Sequence, residues 1–180
     1  GRLIANVLSS CDLTSLLDLP RLELDQYGMT DVRQIAIGTY SPLEGFMNQD
    51  SLESVLASNR LPDGTAWTMP ILLQLPVNTV ETRYIKGETV AITYQGEIQA
   101  LLDIEECFSY NLDELAGSWF GTFDSAHPGV ARLLNGSDRF LAGKISLLPN
   151  SSACQWPHEL SPSQTRFIFN HNNWERVLGF

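Results

Sequence analysis

The sequence is short of lysine, of cysteine and of long apolar runs, and each shortage excludes something. Only two lysines occur, Lys86 and Lys144, and 11 basic residues face 21 acidic ones for a net charge of −10. Nucleic-acid affinity draws on clustered positive charge that displaces counterions from phosphates. With the arginines scattered, no nucleic-acid partner is expected, although an arginine pocket for a small anion fits the balance. Cys11, Cys107 and Cys154 are odd in number and far apart, with no C-x-x-C between them. They read as reduced thiols in a cytoplasmic protein. No apolar run approaches the ~18 residues of a membrane span, so no membrane partner is expected. The chain opens Gly1-Arg2 without a signal-peptide pattern and reads as an internal fragment.

Catalytic signatures are missing too. Neither G-x-x-x-x-G-K-[ST] nor G-x-G-x-x-G occurs, so no phosphate cradle is expected. No G-x-S-x-G elbow is present, and no cysteine carries a nucleophile signature. His127, His158 and His171 read as structural or exposed imidazoles. Cys154 and His158 lie four apart with Pro157 between them and His171 downstream, too sparse for a zinc site. Glu105 and Glu106 are neighbours on a strand-like run, so their side chains face opposite ways and make no acid–base pair.

What remains is a chain of 180 residues, 43% of them hydrophobic. That length fits one ordinary domain, or one with a small appendage, able to bury roughly 70% of its unfolded surface. Thr14 to Leu19 predicts a helical turn stopped by Pro20. Thr30 as N-cap, then Val32, Ile35 and Ala36, predicts a helix over 31–37 closed by Gly38. Asp50 with Glu53 resembles a capping box opening a helix over 51–58. Leu61-Pro-Asp-Gly64 is a turn by its chemistry.

The middle is β-rich. Ile71–Leu75 is a short apolar run, and residues 89–94 and 97–104 flank Gln95-Gly96, which predicts a hairpin. Asn111–Gly121 predicts a helix, and His127-Pro128 starts another that Asn135-Gly136 closes. Arg139–Leu148 reads as a strand. Ser161-Pro-Ser-Gln164 is a cap, Pro at N1 and Gln at N3, opening a helix. Trp174–Phe180 reads as a strand. The fold class implied is α+β, with short helices around a mixed or barrel-like sheet.

Gly38-Thr-Tyr-Ser-Pro-Leu-Glu-Gly-Phe-Met47 is too broken for a helix and too apolar for an idle loop. Pro42 fixes φ and the two glycines permit turns. Leu43, Phe46 and Met47 would then form an apolar knob, which either fills the domain's own core or docks on a neighbour.

Four ordered segments carry a family resemblance. Ser41-Pro-Leu-Glu-Gly-Phe-Met47 resembles the S-P-L-x-G-F-M segment of ATP sulfurylases (sulfate adenylyltransferases). Arg60-Leu-Pro-Asp-Gly-Thr-Ala-Trp67 with Pro70-Ile71 resembles their R-L-x-D-G-x-x-W-x-x-P-I. Gly121-Thr-Phe-Asp and His127-Pro-Gly-Val130 resemble G-T-x-D-x-x-H-P-G-V. Ser161-Pro to Arg166, then Trp174-Glu-Arg-Val-Leu-Gly-Phe180, resembles the stretch leading into the catalytic domain. Tyr40 stands where Phe is more usual, and Gln164 where Glu is common.

The resemblance implies a PUA-like N-terminal domain over 1–170, a mixed or pseudo-barrel sheet with flanking helices. Residues 171–180 would begin the strand that enters a catalytic domain of the same protein. The whole enzyme would join ATP and sulfate, usually with magnesium, to give adenylyl sulfate and pyrophosphate. The family's Gln-Thr-Arg-Asn loop, paired histidines and Gly-Arg-Asp-His segment have no match here, so no catalytic, cofactor or metal residue carries over. Bringing two anions together needs fixed positive charge, which this composition does not provide.

Candidates for the domain interface are Tyr40, Ser41, Pro42, Leu43, Phe46, Met47, His127, Arg166 and Phe180. His127 and Arg166 could reach a nucleotide across a domain boundary or serve plainly as cap and ion-pair partner. The competing functions are an RNA-binding module and a freestanding PUA-like interaction domain. Oligomeric state is left open.

Overall fold

Three long strands carry residues of two compact units. The computed structural model describes residues 2–11, 13–77, 84–149 and 151–178. Within them β1 (Arg21–Glu23), β2 (Gly45–Phe46), β3 (Leu73–Gln74), β4 (Thr89–Tyr94), β5 (Glu97–Ser109) and β6 (Arg139–Leu147) pair in the order β1-β4-β5-β6-β2, with β3 also on β6. β1 runs parallel to β4, while β2 and β3 run antiparallel to β6. The sheet is therefore mixed. Among the described residues its two ends, β1 and β2, are not paired, so the barrel alternative gives way to an open sheet.

The first unit comprises residues 1–44, 91–101 and 145–180. Its helix α1 (Gln26–Ala36) starts five residues before the expected position. Asp25 is the cap, accepting from the Gly28 amide at 2.8 Å. Thr30 lies inside the helix, and its hydroxyl donates to the Gln26 carbonyl. Met29, Val32, Ile35 and Ala36 recur at helical spacing and are all buried. Gly38 follows with φ +91°, the left-handed position expected after the helix.

The hairpin forms as the sequence predicts, with Gln95 at φ 53° and Gly96 at φ 80°. The helix α5 (Pro162–His171) also starts as expected. Ser161 and Gln164 complete a capping box, and Pro162 sits at N1.

The second unit comprises residues 45–90 and 102–144. Helix α2 (Gln49–Ser58) is capped by Asn48, which accepts from Ser51, rather than by Asp50, which falls in the first turn. Helices α3 (Leu112–Phe120) and α4 (Pro128–Leu134) lie where the sequence predicts them, capped by Asn111 and His127. The unit's core gathers Leu52, Phe108, Leu115, Ala116, Val130, Leu133, Phe140 and Ala142. Phe108 and Phe140 stack there, ring centroids 5.5 Å apart.

The expected strand over Trp174–Phe180 does not form in residues 174–178. Trp174 donates its amide to the Phe169 carbonyl at 2.9 Å, turning the chain back on the end of α5. Phe180 lies outside the described residues.

Candidate functional site

The corner noted in the sequence divides between the units. Residues 38–44 belong to the first, and residues from Gly45 onward to the second. Ser41 is the fastener of the first part. Its hydroxyl accepts from the Ile4 amide at 2.9 Å and donates to the Gly38 carbonyl at 2.6 Å. The Ser41–Pro42 peptide is cis. Tyr40 donates its phenol to Asp31 Oδ1 at 3.2 Å. Tyr40, Ser41, Pro42 and Leu43 are all half-buried.

Phe46 and Met47 behave differently. They are 4% and 3% exposed, and the Met47 amide donates to the Ile71 carbonyl. Phe46 pairs with Gly143 and Gly45 with Lys144. Phe46 and Met47 are therefore buried and present little surface to a neighbour. The segment is also partly a strand, β2, which its glycine and proline content had concealed.

Burial is the main force that pushes the Tyr40 phenol up to about 12 from 10, with the Asp31 charge adding to it. The folded chain thus keeps this proton to a higher pH than the unfolded chain. Stability present below pH 10 is lost as pH rises from 10 towards about 12. Tyr110 is also raised, chiefly by burial, so the wild-type fall has more than one source. Tyr40→Phe is expected to make the alkaline fall in melting temperature shallower. An unchanged slope in melts across that window would refute the assignment.

His127 accepts from the Val130 amide through Nδ1 at 3.4 Å, and its ring lies on Phe120 with centroids 5.0 Å apart. Phe120 in turn stacks on Trp119. His127 is exposed, and its visible work is capping α4. Arg166 is exposed on α5, in the other unit. Cys154 Sγ contacts the Gln26 carbonyl at 3.6 Å. Among the described residues no group of three or more His, Cys, Asp or Glu could hold a metal ion.

Two features carry no local signal in the sequence. One is an ion pair across 126 residues: Arg33 donates through Nε and Nη2 to Glu159 Oε2, both at 3.2 Å. Gln34 Nε2 donates to Glu159 Oε1, also at 3.2 Å. The pair is nearly buried, at 9% and 15% side-chain exposure. It ties the segment before α5 to α1. The other is the exposure of α5, which buries no residue. Leu160, Phe167 and Ile168, with Ser163 and Gln164, line an open groove on it. The apolar content of residues 156–178 was legible, but not which way it faces.

This fold places the chain in a known class: residues 1–150 match the PUA-like domain family, and the chain belongs to it. Similar proteins carry a more particular name. A protein named sulfate adenylyltransferase from Chloroflexus aurantiacus is 40% identical over 162 residues, covering 90% of this chain and 42% of that protein. Those of the same name from Thermococcus onnurineus and Staphylothermus marinus are each 34% identical, over 99% and 100% of this chain and 46% and 48% of theirs. The chain thus spans about half the length of these relatives. A hexameric APS kinase from Thiobacillus denitrificans shares the fold with a TM-score of 0.67 at 23% identity, over 98% of this chain and 31% of that one. No helix among the described residues is long and apolar enough to cross a membrane.

Proposed function

We propose that this chain is the N-terminal accessory domain of a sulfate adenylyltransferase, a protein that joins ATP and sulfate into adenylyl sulfate and releases pyrophosphate. Residues 1–170 form the domain, and 171–180 lead towards a catalytic domain of the same polypeptide. The observation that carries this reading is the 34% identity over essentially the whole chain to relatives about twice its length. The four motif segments, in family order, support it. The charge of −10 argues against the RNA-binding alternative.

Adenylyl transfer needs donors and positive charge preset around the reacting oxygens. None of the family's anion-handling segments has a match in this sequence, and the reading assigns ATP and magnesium to the second domain. The role of this domain is architectural. Tyr40, Ser41, Pro42 and Leu43, held to the Ile4 backbone through Ser41, are its candidate contacts, and His127 and Arg166 are separate candidates.

The test compares the 180-residue chain with the longer protein. Pyrophosphate release from ATP and sulfate is expected from the longer protein alone, and titrating ATP into the short chain is expected to give no heat. Turnover by the short chain, or an inactive longer protein, would overturn the proposal.

A further inference from the structure

We infer that the apolar face of α5 and the segment after it is an interface covered by the remaining polypeptide of the longer protein. This deepens the accessory-domain reading and rests on it. Helices α1, α2, α3 and α4 each bury residues, whereas α5 buries none. A ten-residue helix is marginal in water without packing. Its capping box fastens one end only.

Five apolar residues of this region stand in solvent. Phe167 is 69% exposed, Trp174 56%, Leu160 52%, Val177 51% and Leu178 84%. Leu160, ahead of the helix, and Phe167 and Ile168 on it line one groove together with Ser163 and Gln164. An apolar groove that also holds polar groups, on a capped helix, is the anatomy of a contact surface.

The face is also held ready. The Arg33–Glu159–Gln34 cluster ties the residues just before α5 to α1. Trp174 is folded back by its hydrogen bond to Phe169. Ordering done in advance lowers the entropy cost of docking.

The occupant is set by length. The relatives that match this chain end to end hold more than half of their polypeptide outside the matched part. That polypeptide is tethered, so it meets the face at high effective concentration. A second copy of this chain has no such advantage.

Limited trypsin digestion tests the inference, because Arg166 and Arg176 lie within the segment. In the longer protein, cleavage after both is expected to be at least tenfold slower than in the 180-residue chain. The double variant Phe167→Asp, Leu178→Asp is expected to abolish that protection in the longer protein. In the short chain it should move the melting temperature by no more than about 2 °C, as exposed positions do. Equal cleavage of both wild-type proteins would overturn the inference, since the face would then be bare in each. So would a large melting shift in the short chain, or a short-chain dimer that the variant dissolves. A longer protein that protects Arg166 yet transfers no adenylyl group would support the contact while sinking the enzymatic assignment.

Discussion

Gly45→Ala is expected to cost at least about 3 kcal/mol, enough to leave the chain marginal or unfolded. An added Cβ at Gly45 would stand 1.7 Å from the Gly143 carbonyl oxygen and 2.8 Å from the Lys144 Cα. Both obstacles are backbone, so no rotamer change relieves them. Gly45 and Phe46 are also the whole of β2, paired to Lys144 and Gly143, and separating the strands to admit a methyl group would cost that pairing. Gly143→Ala meets a similar wall, with its Cβ 2.1 Å from the Asp103 carbonyl oxygen. Gly64→Ala is the comparison. Gly64 has φ +85° but nothing within 4 Å of the added carbon, so only the left-handed backbone cost of about 1–2 kcal/mol applies. Urea denaturation of the three variants checks the order. A Gly45→Ala protein as stable as Gly64→Ala would show that β2 does not approach β6 this closely.

Phe140→Ala is expected to cost about 3–5 kcal/mol. Phe140 is 1% exposed and belongs to the second unit's core with Leu52, Leu115 and Leu133. Truncation removes the stack on Phe108 and leaves a cavity that strand β6, paired on its other positions, cannot close. Phe123→Ala should change stability by no more than roughly 1 kcal/mol, because Phe123 is 67% exposed. Two phenylalanines in one chain would thus differ severalfold for a reason composition does not contain. Equal losses in thermal melts would contradict the burial assigned to them.

Where the sequence was legible, the signal was local chemistry. Ser161, Asn111 and His127 cap helices because side-chain acceptors reach amides two or three residues on. The Gln95-Gly96 turn places its hairpin because both residues take positive φ, 53° and 80°. Local chemistry also misled. Thr30 reads as the cap of α1 in the sequence, yet Asp25 holds that place in the structure. The decision went to Asp25 because the helix from there buries Met29 as well. Strands β1 and β2, of three and two residues, are too short to show a period. They exist only because residues 91–93 and 143–144 offer them partners. Trp174–Leu178 has strand-like composition but turns back on α5 instead.

The candidate site divides along the same line. The chain's order of caps, turns and family segments was written in neighbouring residues, and with it the class of fold. Which apolar residues face inward was not. Phe46 and Met47 resemble Phe167 and Leu178 in chemistry, yet the first pair is buried and the second exposed. Likewise, nothing near Arg33 announces Glu159. Burial and ion pairing between distant residues depend on what the rest of the chain brings alongside, so only the tertiary structure could decide them.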